Sequence, residues 1–359
     1  MSNLRLILFE CKKQITSFTF LIILAIFTVF AVTQLNEIFH LPVKSDNDIR
    51  ALEQSGERDY IYIENTDADL KSETIEHIQQ KIADGTIPQD SAEEFDVVLE
   101  MLKNNNYSFK DILSAMQNNK TISTWLSACK VQFSKHIGSV DEVNSNIQSA
   151  LGNTGYSPNL YVKYVTYMQA IAGFLIFPIF LLLFTRDYQH NMFEAIYVQP
   201  LSSTRYILSR YFGTLIPLIV YLYLFGLVLN LNSVSRFIGA GYEYQYTAFF
   251  PYFIIYILPT VFFLSSLITL LMLVINKAVA VFPIYIIYVI FNVTPNAFSF
   301  GGAWIRMINP IIRLDRQLGS MEVVLINRLV YMILGVFLLV IACKVYNKLR
   351  NNLRKVISI

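Results

Sequence analysis

The sequence predicts an all-α polytopic membrane protein. It has six transmembrane helices, cytoplasmic N- and C-termini, and a mostly α extracellular domain between helices 1 and 2. Three observations carry this expectation. Apolar residues make up 54% of the 359 positions and charged residues only 15%, where soluble proteins carry about 25% charged residues. The apolar residues gather into six long blocks. Lys and Arg are divided unevenly between the segments that join those blocks. Together these argue against a soluble enzyme, a disordered chain or a disulfide scaffold. Cys11, Cys129 and Cys343 lie too far apart to suggest a disulfide framework or a metal cluster.

A bilayer core of about 30 Å takes about 20 helical residues to cross. The blocks run over 18–35, 165–185, 206–231, 249–275, 279–293 and 323–343. The fourth, with 27 residues, is about 40 Å long and must tilt or kink, and Pro251 and Pro259 offer the kink. The fifth, with 15 residues, is about 22 Å long, which suits a short span followed by a membrane-dipping segment. The first block follows Lys12 and Lys13 but is longer than a signal-peptide core and lacks a small-x-small cleavage site, so it reads as a signal anchor. Upstream, Leu4, Ile7, Leu8, Cys11 and Ile15 recur at helical spacing. They fit either an interfacial amphipathic helix or an extension of the first span.

Orientation follows from basic residues in the short loops. One side holds 12 of them, from Arg5, Lys12 and Lys13 to Arg354 and Lys355, and the other holds 6. Both ends are therefore expected inside. The expected order is an interfacial helix at 1–17, transmembrane helix 1 at 18–40, an outer domain at 41–162, helices 2–6 at 163–345 and a basic tail at 346–359. The 41–160 segment carries 10 basic and 19 acidic residues, net −9. Such acidity repels anions, attracts a cationic peptide or simply keeps a face solvated. Its punctuation is helical: Thr66–Asp69 and Ser91–Glu94 have capping-box spacing. Ile122, Trp125, Leu126, Cys129, Phe133 and Ile137 share one face ahead of a Gly138 cap, and Val143, Ile147 and Leu151 precede Gly152. Around 60–63 strand and helix are both open. Asn106, Asn119 and Asn292 begin glycosylation-type triplets.

Much chemistry is missing. There is no G-x-x-x-x-G-K-[ST] and no Gly-Lys pair, so the chain carries no P-loop. The four histidines have no partners at zinc spacing, and His77 beside Glu73 and Glu76 reads as a solvated face. No G-x-S-x-G elbow occurs. No catalytic residue, metal site or cofactor is expected within the chain. Inside the spans the one ionisable candidate is Arg328, expected to snorkel to the outer interface or to pair with Glu37. A proton or sodium relay has no residues to run on.

The most informative stretch joins blocks two and three. Arg186 and Asp187 open it. Phe193, Ile196 and Tyr197 form one face of a short helix that carries Glu194 and is stopped by Pro200. Ser202 to Thr204 then lead into a helix that places Arg205 and Arg210 at the membrane surface. A second stretch, between blocks five and six, has Trp304, Arg306 and the helix-breaking pair Asn309–Pro310 in an outer re-entrant segment, 294–322.

These two stretches resemble the ABC exporter permeases of the type-2 superfamily. Phe193–Glu194 matches the family's Leu-Glu turn, Pro200 and Ser202 match Pro-x-Ser, and Arg210 stands where Lys is usual, while Asn191 and Met192 replace Gly-Thr. Trp304 to Pro310 looks like the aromatic-led segment that ends in Asn-Pro before the last helix. The resemblance covers 165–345 in motif order and leaves the outer domain unmatched. It implies a permease subunit in the cell membrane, paired with a second copy or a related chain. Two cytoplasmic ATP-binding subunits would hold ATP and Mg²⁺ and grip the coupling loop, 186–205. Membrane lipid is an expected contact, and nucleic acid is not. The implied activity is export of an amphipathic cargo, namely a peptide such as a bacteriocin, a lipid or a drug. The competing readings are a non-transporting sensor or immunity subunit using the same loop, and an ion-coupled carrier, which the uncharged spans disfavour. The abundance of Ile, Asn, Tyr, Phe and Lys hints at an AT-rich bacterial genome.

Overall fold

A computed structural model describes residues 3–54, 61–87, 89–151, 156–189, 201–241, 247, 249–275, 277–293, 309–312 and 321–357. Along the chain, α1 (Asn3–Ile15) and α2 (Phe18–Gln34) come first. There follow α3 (Asp46–Gln54), β1 (Tyr62–Glu64), α4 (Asp67–Ala83), α5 (Gln89–Lys103), α6 (Phe109–Ala115), α7 (Lys120–Gln132), β2 (Lys135–Ile137) and α8 (Val140–Leu151). The remaining helices are α9 (Tyr156–Gln189), α10 (Ser203–Ile238), α11 (Phe249–Ile275), α12 (Ala278–Val293) and α13 (Met321–Ile357). The chain divides into two compact units, one of Met1–Phe39 with Asn153–Ile359 and the other of His40–Gly152.

In the first unit, four described helices are long and apolar enough to cross a membrane: α9 over Lys163–Leu183, α10, α11, and α13 over Met321–Asn351. The pair α1–α2 makes a fifth if taken as one bent span. The chain is a helical, polytopic membrane protein. α12 is apolar apart from Asn292 but has 16 residues, about 24 Å. α1 is a helix of its own, meeting α2 at 64°. It lies along α10, where a Cβ on Gly213 would fall 2.4 Å from Glu10 Cβ, so only glycine admits the approach. Leu4, Leu8, Phe9 and Ile15 of α1 are exposed. The helix α13 extends through the basic residues after 345, as far as Ile357.

α11 is the centre of this unit, with 67% of its most apolar window buried, against 22% for α13. Pro259 has no N–H to give, and the helix widens just before it, the Leu258 N–H reaching five residues back to the Phe253 carbonyl. Tyrosine hydroxyls tie neighbouring helices through groups that apolar packing alone could not satisfy. Tyr211 of α10 meets Ser265 and Ser266 of α11, each at 2.8 Å. Tyr285 of α12 donates to the Gly173 carbonyl of α9 at 2.8 Å.

The second unit is mostly helical. Leu70 and Ile78 of α4, Val98 and Leu102 of α5, Phe109 and Ile112 of α6, and Ile122 and Leu126 of α7 form its core. The Thr66–Asp69 capping box is present, and a second joins Ser108 and Asp111. Two local readings are corrected. α5 begins at Gln89, so Ser91 lies inside the helix and cannot cap it. α7 stops at Gln132, and Ile137 belongs to β2 rather than to a helical face ending at Gly138. The reason is long-range: β2 pairs antiparallel with β1, Ile63 opposite His136, and that settles the open 60–63 region as strand for 62–64. Lys71 is buried at 7% exposure; it donates to the Tyr107 carbonyl and lies 3.0 Å from Asp67. His77 turns to the rings of Trp125 and Phe133 rather than to Glu73 and Glu76, which are exposed.

Candidate functional site

The last described helix carries a buried arginine. Arg328 lies seven residues into α13 and is 3% exposed. A snorkelling side chain would reach outward; this one turns inward, and all three guanidinium nitrogens donate. Nε and Nη2 give bonds of 3.0 and 2.6 Å to Asn327 Oδ1. Nη2 also reaches the Asn309 carbonyl at 3.2 Å. Nη1 bonds Thr260 Oγ1 at 2.9 Å, with Gln169 Oε1 and the Tyr256 carbonyl each at 3.4 Å. The guanidinium also lies 5.9 Å from the Tyr331 ring centre. Its described partners are thus amides, a hydroxyl and carbonyls drawn from α9, α11, the Asn-Pro segment and, through Asn327, α13 itself. The Glu37 side chain proposed as its ion-pair partner lies outside the described residues.

The same cluster seats residues 309–312. Gln169 is fully buried; it donates to the Ile312 carbonyl at 3.0 Å and accepts the Ile312 N–H at 3.1 Å. Thr260 lies within hydrogen-bond distance of the Pro310 carbonyl, 2.7 Å. Asn327 Nδ2 donates to the Asn309 carbonyl at 3.3 Å. The carbonyls of Asn309, Pro310 and Ile312 and the Ile312 N–H are thereby paired without a helix, as burial among apolar helices demands of backbone groups. Asn309 is 5% exposed and Asn292, at 4%, is buried beside it, so Asn292 cannot serve as a glycosylation acceptor in this fold. Trp304 and Arg306 lie outside the described residues.

At the far end of α13 a second constellation appears. Ser202 caps α10, its hydroxyl accepting the Arg205 N–H at 3.3 Å. Ser203 Oγ donates to Asn347 Oδ1 at 2.9 Å, and the Tyr206 and Tyr346 rings stack at 5.1 Å and 16°. Arg350 donates to the Leu201 carbonyl. The start of α10 is therefore fastened to the end of α13. Arg205 is exposed, as expected at a surface, but Arg210 is not; it is 5% exposed, its guanidinium 5.3 Å from the Tyr206 ring centre. Of the loop itself, α9 carries 186 and 187 as helix. The side chains of Arg186 and Asp187, and all of Phe193, Glu194, Ile196, Tyr197 and Pro200, lie outside the described residues.

Sequence reading singles out Arg328, Asn309, Pro310, Ser202 and Arg205, but not Gln169, Thr260 and Asn327. Their signal was available: each is a polar residue inside or at the edge of an apolar block. Between the two constellations α13 crosses α11 closely at Gly335, where a Cβ would meet the Phe262 ring at 2.6 Å. Comparison with protein-family models, with curated proteins and with solved structures finds no match.

Proposed function

We propose that this chain is the membrane-spanning permease subunit of an ATP-driven exporter, with six spans and both termini cytoplasmic. It works with a second permease chain, identical or related, and two cytoplasmic ATP-binding subunits. Its cargo is an amphipathic peptide, lipid or drug. The reading rests on sequence for its family likeness and on one structural observation for its mechanism. That observation is the fastening of Leu201, Ser203 and Tyr206 to Arg350, Asn347 and Tyr346 of α13.

A push on the 186–200 loop would reach the capped start of α10 and, through those contacts, α13. From Arg350 to Arg328 is 22 residues of one helix, about 33 Å. A single rigid rod thus joins the cytoplasmic contact to the buried cluster that holds 309–312. Such an element can occupy two positions, each biased from either end. With no P-loop and no chain of ionisable groups through the spans, the energy has to come from the partner's ATP.

Phe193 and Tyr197 insert into a groove of the ATPase in this account, and Glu194 fixes the register by pairing with a basic residue. Phe193→Ala with Tyr197→Ala should release a P-loop ATPase that otherwise co-purifies with the tagged chain from its native membranes. Retention of that ATPase at the wild-type level, or absence of any ATPase from the wild-type eluate, would refute the reading.

A further inference from the structure

A groove of about 560 Å³ runs between α10, α11 and α13, within the size range of built ligand sites, about 300–1,000 Å³. Its lining is divided by chemistry. One end holds Ser203, Thr204 and Lys344, and the other is formed by Phe212, Phe262 and Val340. Lys344 is exposed, and Lys348, one helical turn on, and Arg205, next to Thr204, are exposed as well. No carboxylate lines the groove among the described residues. Along α13 the lining runs from Asn347 back to Val336, and the stretch below Lys344, eight residues to Val336, is about 12 Å long. That is close to the depth of one leaflet's hydrocarbon, about 15 Å. Val336 and Val340 are half exposed, at 51% and 48%, so the groove opens sideways to whatever surrounds the spans.

We propose that this groove holds one anionic phospholipid, its phosphate at Lys344 and Thr204 and one acyl chain against Phe212, Phe262 and Val340. A cation at the interface with an apolar trough of leaflet depth below it suits a single amphiphile. A free phosphate would leave the trough empty, and a zwitterionic lipid, having no net charge, would gain less from the basic residues there. The site is independent of the transport reading, because it needs only a membrane around these helices.

The test uses the full-length chain in detergent, titrated with phosphatidylglycerol, phosphatidylcholine or inorganic phosphate and read by native mass spectrometry. Phosphatidylglycerol should bind with about fivefold preference over phosphatidylcholine, the worth of one interfacial lysine. Lys344→Gln should erase that preference and keep lipid binding. Val340→Trp, which fills the trough from its exposed side, should remove both lipids. Equal affinity for the two lipids, an unchanged preference in Lys344→Gln, or phosphate displacing phosphatidylglycerol would overturn the proposal. So would a Val340→Trp variant that keeps its lipid but loses a dimer present in the wild type, because a second copy would then be the occupant.

Discussion

Arg328→Met removes the guanidinium while keeping a long apolar side chain in α13. Four of the bonds it deletes are 3.2 Å or shorter, to Asn327, Thr260 and Asn309. Two of them, to Thr260 and Asn309, leave α13; interhelical polar contacts within membranes average about 0.6 kcal/mol by double-mutant cycles, so these two are worth about 1.2 kcal/mol. Bonds to charged groups in soluble proteins reach about 1.5–3 kcal/mol each, which makes about 1.2 a lower figure. Arg328→Lys keeps the charge but not the planar fork, and should lose about 1 kcal/mol. The assay is reversible unfolding of the purified chain in mixed micelles, with Thr260→Val as the partner in a double-mutant cycle. Hydrogen exchange at Ile312, whose N–H is held by Gln169, should accelerate in Arg328→Met. A variant within about 0.5 kcal/mol of wild type, with Ile312 still protected, would refute the claim that Arg328 clamps the 309–312 segment.

Three further outcomes follow from the packing. Gly335→Leu places atoms in the Phe262 ring and against the Phe263 backbone; it should cost about 1–3 kcal/mol and lower the melting temperature, with Gly335→Ala between it and wild type. The stacked pair at the base of α13 predicts that Tyr346→Ala with Asn347→Ala leaves ATPase binding intact but uncouples ATP hydrolysis from cargo, read as unstimulated ATPase activity in the complex. The helical unit should be acid-sensitive. The Ser108 hydroxyl and N–H hold Asp111 below the usual carboxylate range. At Asp67 burial acts upward, but the Phe109 N–H and Lys71 outweigh it and the net shift is downward. Both carboxylates therefore stabilise the fold fully above their unfolded pKa, and that contribution is lost as pH falls through the lower folded values. Trp125 packs on Phe95 and His77, so with Trp304→Phe its fluorescence reports this unit alone. Ser108→Ala should be destabilised by about 1 kcal/mol at neutral pH, and its deficit relative to wild type should shrink as Asp111 protonates, because the hydroxyl's bond to the carboxylate is lost while its bond from the Asp111 N–H remains. A deficit that is constant across pH would contradict this assignment.

The apolar blocks were legible because hydropathy is a property of neighbours in sequence, and each became a helix. The Thr66 cap was legible for the same reason, since Asp69 sits three residues away. Where the partner is distant, the sequence misled. Ile137 fits a helical face until β1, more than 70 residues earlier, claims it for a strand. Arg328 looks like an interfacial anchor until Thr260 and Gln169, 68 and 159 residues away, are seen to receive it. Arg210 likewise reads as a surface cation until Tyr206 covers it. The coupling role of the 186–205 loop is proposed from motif spacing alone, and its central residues, Phe193 to Pro200, lie outside the described structure.

The most direct test follows α13 itself. In a background with Cys11, Cys129 and Cys343 replaced by serine, spin labels at Ile333→Cys on α13 and Phe174→Cys on α9, both exposed, report the separation of the two helices in the purified complex with its ATPase. The account predicts that ATP with vanadate shifts the distance distribution, and that Phe193→Ala with Tyr197→Ala abolishes the shift. A distribution unchanged by nucleotide, or one that moves under a sodium or proton gradient in liposomes containing this chain alone, would contradict it.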